Sequence, residues 1–141
     1  KDLMVEKRER LTGPLAGKTI AVLGLTFKAE TDDVRESPAI NICSRILEKG
    51  ASVKAQDPKG IDNFKRAIPE NDRIRYYTDE FAAIEEADAL VIATEWNEYR
   101  NLDLIRARKI MRGNIILDTR NVLDSEQAGS LGFVYRGLGR V

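Results

Sequence analysis

The chain has 141 residues, enough for one domain with a sizeable core. Lys plus Arg and Asp plus Glu both number 23, and a net charge of zero argues against a general nucleic-acid binder, which must displace counterions from phosphates. There is no histidine, the commonest general base and zinc ligand, and the single cysteine, Cys43, cannot close an internal disulfide, which suits a reducing cytoplasm.

Residues 2–11 read as the charged end of a helix stopped near Gly13-Pro14, so residues 1–16 are expected to be the tail of a preceding helical region and a linker. A start at Lys1 rather than Met points to a piece of a longer protein. No apolar run approaches membrane-spanning length and no signal-peptide pattern opens the chain, so no membrane partner is expected. From Gly17 onward, short apolar strands alternate with helical segments. The pattern predicts strands near 18–24, 52–56, 74–77, 89–94, 114–118 and 132–136, with helices near 38–49, 60–68, 79–87 and 100–111. Pro38 suits the opening of the first helix, which sets Ile40, Cys43, Ile46 and Leu47 on one face and ends at Gly50. Ala89–Ala93 is apolar throughout, as a strand covered on both faces should be. Strand and helix in alternation imply an α/β fold over residues 17–141: a Rossmann-like, doubly wound parallel sheet of about six strands with helices on both faces. Ligands of such sheets sit at the carboxyl ends of the strands, near the switch in strand order.

The first strand, Thr19–Gly24, leads into the most informative stretch, Gly24-Leu-Thr-Phe-Lys-Ala-Glu-Thr-Asp-Asp-Val-Arg-Glu-Ser-Pro38. A dinucleotide site would place G-x-G-x-x-G here. Only Gly24 of that fingerprint is present, and a longer loop with Lys28, Asp32, Asp33, Arg35 and Glu36 takes its place. Such a loop either holds an anionic ligand by its side chains or is a solvated cap on the next helix.

Two further strand ends point to the same edge, Thr94-Glu-Trp96 and Asp118-Thr-Arg120. Lys28 and Arg120 would flank one crevice with donors suited to phosphate or sugar oxygens, and Phe27 would offer an aromatic face to a base. The alternative for Arg120 is an ion pair with Asp118, Asp32 or Asp33, and for Trp96 a packing role. Asp57 ends the second strand, where NAD enzymes keep a ribose-binding acid, but it lies 33 positions after Gly24 rather than the usual roughly 20. Pro58 follows it, which favours a turn or helix cap. Cys43 falls mid-helix on an apolar face and reads as core. No catalytic residue, cofactor-binding motif or metal site emerges.

Gly24-Leu-Thr-Phe-Lys-x3-Asp-Asp-x-Arg-Glu-Ser-Pro-Ala39, Thr94-Glu-Trp96, Asp118-x-Arg-Asn121 and the closing Gly132-Phe-Val-Tyr-Arg-Gly-Leu-Gly-Arg140 together resemble the C-terminal, UDP-binding domain of the UDP-glucose/GDP-mannose dehydrogenase family. The resemblance covers about residues 17–141, and the Thr-Glu-Trp and Arg-Glu-Ser-Pro wording is most like members that oxidise UDP-glucose. It implies an oxidation of the sugar C6 alcohol to a carboxylate in two NAD-dependent steps through a cysteine-bound intermediate. By the same resemblance NAD and the nucleophilic cysteine belong to a missing N-terminal part, Cys43 not being that nucleophile, and Phe27, Lys28 and Arg120 contact the UDP-sugar. The resemblance also implies a cytoplasmic parent enzyme of polysaccharide biosynthesis, a homodimer or higher oligomer, as the other partner of this piece. Alternatives are a sister enzyme acting on another nucleotide sugar, a receiver-type phosphoacceptor module and an NAD-sensing domain. A receiver needs an aspartate ending its third strand and a lysine ending its fifth, where this chain has Ile74-Arg-Tyr-Tyr-Thr78 and Leu117-Asp-Thr-Arg120.

Overall fold

Ala89–Ile92 is buried at all four positions, and that strand sits near the middle of the sheet. The computed structural model describes residues 15–26, 28, 31–35 and 37–137. The strands are β1 (Thr19–Leu23), β2 (Ser52–Gln56), β3 (Ile74–Tyr77), β4 (Ala89–Ile92), β5 (Ile115–Asp118) and β6 (Val134–Gly137). They form one sheet in the order β3-β2-β1-β4-β5-β6, every neighbouring pair parallel. The chain therefore winds outward from β1 to β3, returns to the other side of β1, and winds outward again. The switch in order falls between β1 and β4, and their carboxyl ends bound the crevice typical of this topology.

The helices are α1 (Pro38–Glu48), α2 (Ile61–Ala67), α3 (Glu80–Ile84), α4 (Asn97–Arg100), α5 (Leu104–Ile110) and α6 (Ser125–Ser130). Alternation along β1 sorts the core into two layers. Ile20 and Val22 pack with Ala39, Ile42, Cys43 and Ile46 of α1 and with Phe64 of α2. Ala21 and Leu23 face the layer built with Ala83 and Ile84 of α3, Tyr99 of α4, Leu104 and Ala107 of α5 and Ala128 of α6. Helices thus cover both faces, as the strand and helix alternation implies.

Local chemistry sets the ends of the elements. Pro38 lies in the first turn of α1, where its missing N–H costs no hydrogen bond, and Ser37 Oγ accepts from Ala39 N at 3.2 Å. Gly50 follows α1 with φ +92°, a left-handed conformation that glycine adopts without penalty. The helix expected at 79–87 stops at Ile84, because Glu86 turns to φ 60° and gives its N–H to Ile110 O. The helix expected at 100–111 is α5 and starts only at Leu104, where Asp103 caps it by accepting from Arg106 N at 3.0 Å, while the unexpected short α4 directly follows Trp96. Between them Leu102 turns into the core.

The tail expected at residues 1–16 lies outside the described residues as far as residue 14. Leu15 is 1% exposed within the core, and Gly17 N donates to Gly50 O at 3.1 Å. Among the described residues no helix is long and apolar enough to cross a membrane.

Candidate functional site

The carboxyl edge of the sheet begins at Gly24, whose φ of +100° ends β1. A Cβ at this position would lie 2.6 Å from the backbone nitrogen and side chain of Thr94. The glycine is therefore needed for the close passage of the chain leaving β4, and no ligand has to be invoked for it. Thr26 O accepts from Thr94 Oγ1 at 2.9 Å and from Ser37 Oγ at 3.4 Å. The Thr26 hydroxyl donates to Lys28 O at 2.9 Å, closing a turn that presents the exposed Lys28 above β1. Phe27, the expected aromatic contact, lies outside the described residues.

Asp57 follows β2 and is fully buried. Its Oδ1 accepts from Lys59 N and Gly60 N, both at 2.8 Å, which is the turn role its neighbour Pro58 suggests. Its Oδ2 accepts from Leu25 N at 2.8 Å and from Trp96 Nε1 at 3.2 Å. One carboxylate thus joins the segments that follow β1, β2 and β4. Trp96 is 2% exposed, so packing is its role here, with its indole N–H on the Asp57 carboxylate. Beside it Tyr99 donates to Gln56 Oε1 at 2.7 Å, and Gln56 Nε2 donates to Thr78 O at 2.8 Å. Burial pushes the Tyr99 phenol well above its usual range, and the nearby Asp57 charge adds to that.

Arg120 is half-buried, two residues beyond the end of β5. The Asp118 carboxylate accepts backbone N–H bonds from Arg120 at 3.2 Å and Leu123 at 2.8 Å and the Tyr135 hydroxyl at 2.7 Å, so it shapes this turn. Thr119 Oγ1 ties the same turn to Ile92 O at 2.8 Å. Asp33 meets Arg35 in two side-chain bonds of 3.1 Å, and these bonds hold its carboxyl below the usual carboxylate range. Since β4 alone separates β1 from β5, the strands that lead to Lys28 and Arg120 stand about 10 Å apart. The loop of Asp32, Asp33, Val34 and Arg35 leans the other way, forming with Asn63 and Arg66 an open cleft of about 450 Å³. Asn63 Nδ2 donates to Asp32 O at 2.8 Å across it.

These residues do not fit NAD. The one glycine of the fingerprint is closed in by Thr94, and each Asp57 oxygen already accepts two N–H bonds, leaving no acceptor for a ribose hydroxyl. Cys43 is fully buried and burial pushes its thiol up to about 12, so it is no nucleophile. The Asp57 junction escaped the sequence reading. Its only sequence signal is an Asp-Pro ending one predicted strand and a tryptophan just beyond another.

Comparison with known proteins agrees with this geometry. Residues 21–125 match the family model described as "UDP-glucose/GDP-mannose dehydrogenase family, UDP binding domain". A UDP-glucose 6-dehydrogenase of Rickettsia bellii is 43% identical over 138 residues, which is 97% of this chain and 32% of that protein. The solved UDP-glucose dehydrogenase of Pyrobaculum islandicum superposes with a TM-score of 0.82 at 31% identity, covering 99% of this chain and 29% of that one. The UDP-D-ManNAc dehydrogenase of Pyrococcus horikoshii gives 0.76 at 32% identity over the same shares, 99% and 29%. The chain spans roughly a third of the length of the relatives it matches. With three quarters of its length inside the family model, and with no dinucleotide fingerprint at the switch-point edge, the chain belongs to the UDP-glucose/GDP-mannose dehydrogenase family, as its UDP binding domain.

Proposed function

We propose that this chain is the C-terminal part of a UDP-glucose 6-dehydrogenase and that it holds the UDP portion of the substrate while oxidation takes place elsewhere in the polypeptide. The observation that carries this reading is the placing of Lys28 and Arg120 on either side of β4 at the switch-point edge of a UDP binding domain. Ammonium and guanidinium donors so spaced suit the oxygens of a diphosphate and its ribose. Phe27, next to Lys28, is assigned to the nucleotide end. The choice of UDP-glucose follows the relatives that are 43% identical, which bear that name.

In this reading NAD is held by the part of the enzyme outside this chain, and residues 17–141 form the substrate-binding unit, with 1–16 as the tail of the connecting region. The parent enzyme is a cytoplasmic homodimer or larger assembly. The chain does no bond-making. Its contribution is binding energy from the remote UDP group, which places the sugar C6 for oxidation.

In the full-length enzyme, Lys28→Ala and Arg120→Ala should each raise the KM for UDP-glucose by about thirtyfold or more and leave the KM for NAD nearly unchanged, since losing a charged donor to a ligand anion costs about 2–5 kcal/mol where the pair is desolvated. Steady-state kinetics with each substrate varied in turn checks this. Lost NAD affinity with intact UDP-glucose affinity would assign the domain to the wrong ligand.

A further inference from the structure

Asp57 is a fully buried carboxylate that touches no solvent, yet it lies one bonded step from the turn that presents Lys28. Its four N–H donors come from three separate segments: Leu25 after β1, Lys59 and Gly60 after β2, and Trp96 after β4. The turn it holds continues through Thr26, whose hydroxyl approaches Asp57 Oδ2 at 3.5 Å while donating to Lys28 O at 2.9 Å. Gly60 packs directly against the same threonine, since a Cβ there would lie 2.6 Å from Thr26 Cγ2. The Arg120 turn, by contrast, is held by a different carboxylate, Asp118, through Arg120 N, Leu123 N and the Tyr135 hydroxyl. The two cations at this edge therefore have independent supports.

We propose that Asp57 is a positioning residue for nucleotide-sugar binding, acting only through the Leu25–Lys28 turn, with the Trp96 indole N–H keeping its carboxylate in that role. The proposal rests on the reading of Lys28 as a substrate contact. A buried carboxylate that accepts four N–H bonds is rigid, because losing one acceptor leaves buried donors unsatisfied. Rigidity at Leu25 N passes to Lys28 through the peptide link to Thr26 and the Thr26 hydroxyl bond to Lys28 O. In a dinucleotide-binding sheet the acid at this place reaches outward to a ribose. Here the same place in the fold is turned inward and organises a neighbouring loop.

The test is a pair of mutant cycles in the full-length enzyme. Asp57→Asn keeps one acceptor oxygen but points an amide N–H2 at donors on its other side. Trp96→Phe keeps an aromatic ring in the core but removes the indole N–H together with the five-membered half of the indole. We expect Asp57→Asn to raise the KM for UDP-glucose about tenfold, and Trp96→Phe about threefold, with the KM for NAD within about twofold in both. Combined with Lys28→Ala, Asp57→Asn should add less than about twofold further, because the contact it positions is already gone. Combined with Arg120→Ala, it should multiply, because that turn has its own support. A merely structural role would lower the amount of folded enzyme and leave the KM for UDP-glucose where it was. Should Asp57→Asn fail to fold, Trp96→Phe in the same two cycles decides. Multiplication with both Lys28→Ala and Arg120→Ala, or an unchanged KM for UDP-glucose in the folded variant, overturns the proposal alone. A silent Lys28→Ala overturns the substrate-contact reading and this proposal with it.

Discussion

Cys43 sits on the inner face of α1 with no exposed surface, and burial pushes its thiol up to about 12. The folded chain keeps that proton to about pH 12, whereas an unfolded chain releases it near the ordinary value of 9.0. Stability from this group is therefore fully present below about pH 9 and is lost as pH rises toward the folded value. The loss should approach about 1.4 kcal/mol per pH unit in that window. Urea unfolding at pH 8, 9.5 and 10.5 should show a steeper decline for the natural sequence than for Cys43→Ala, and equal slopes would contradict the assignment. The Tyr99 phenol, also raised by burial, adds to the decline in both chains at the upper end of the range. Residue chemistry of this kind was legible early, since a cysteine at an apolar helical position with no histidine in the chain has nothing to activate it. Asp57 was the opposite case. Its turn contacts with Lys59 and Gly60 are local and were foreseeable, whereas its bonds to Leu25 and Trp96 join residues 32 and 39 positions away.

At the scale of elements, all six strands fall within two residues of where apolar patterning sets them, and β6 starts two residues late because Gly132, at φ +92°, still belongs to the turn after α6. Helices were less well bounded. The stretch 97–110 is rich in helix formers such as Leu, Arg, Ala and Lys, and the weak helix formers Asn101 and Asp103 stand at the break at 101–103. The break comes from Asp103, whose side chain serves the N-terminus of a new helix better than it serves the interior of an old one. Asp103→Ala should lower stability by about 1 kcal/mol, the usual cost of losing such a cap, with Asp103→Asn recovering most of it. Chemical denaturation of the three chains measures this, and an Asn variant as unstable as the Ala variant would show that the cap is not the reason for the break.

At the scale of the whole molecule, this sheet has the strand order of a dinucleotide-binding domain and lacks the dinucleotide site. The edge is filled instead: Thr94 closes on Gly24, and Trp96 lies 2% exposed with its N–H on Asp57. The purified 141-residue chain should accordingly produce no NADH from NAD and UDP-glucose. Absorbance at the nicotinamide band checks this, and turnover that survives Cys43→Ser would show that a catalytic centre had been overlooked.

The sequence by itself determined the class of the fold and the placing of its strands. Those follow from periodicity, from glycine and proline at the ends of elements, and from the alternation of strand with helix, all of which are properties of neighbours along the chain. It also determined that no dinucleotide fingerprint follows β1, since that motif is a matter of spacing. Only the tertiary structure decided what became of the empty fingerprint. Gly24 meets Thr94 some 70 positions later, and the Asp57 carboxylate gathers donors from three loops. Sheet pairing brings those residues together, and each of them, seen alone, is an ordinary turn residue or an ordinary core residue. The physical reason is that a buried charge is tolerable only when its partners converge from several directions, and convergence is set by the order of the strands in space.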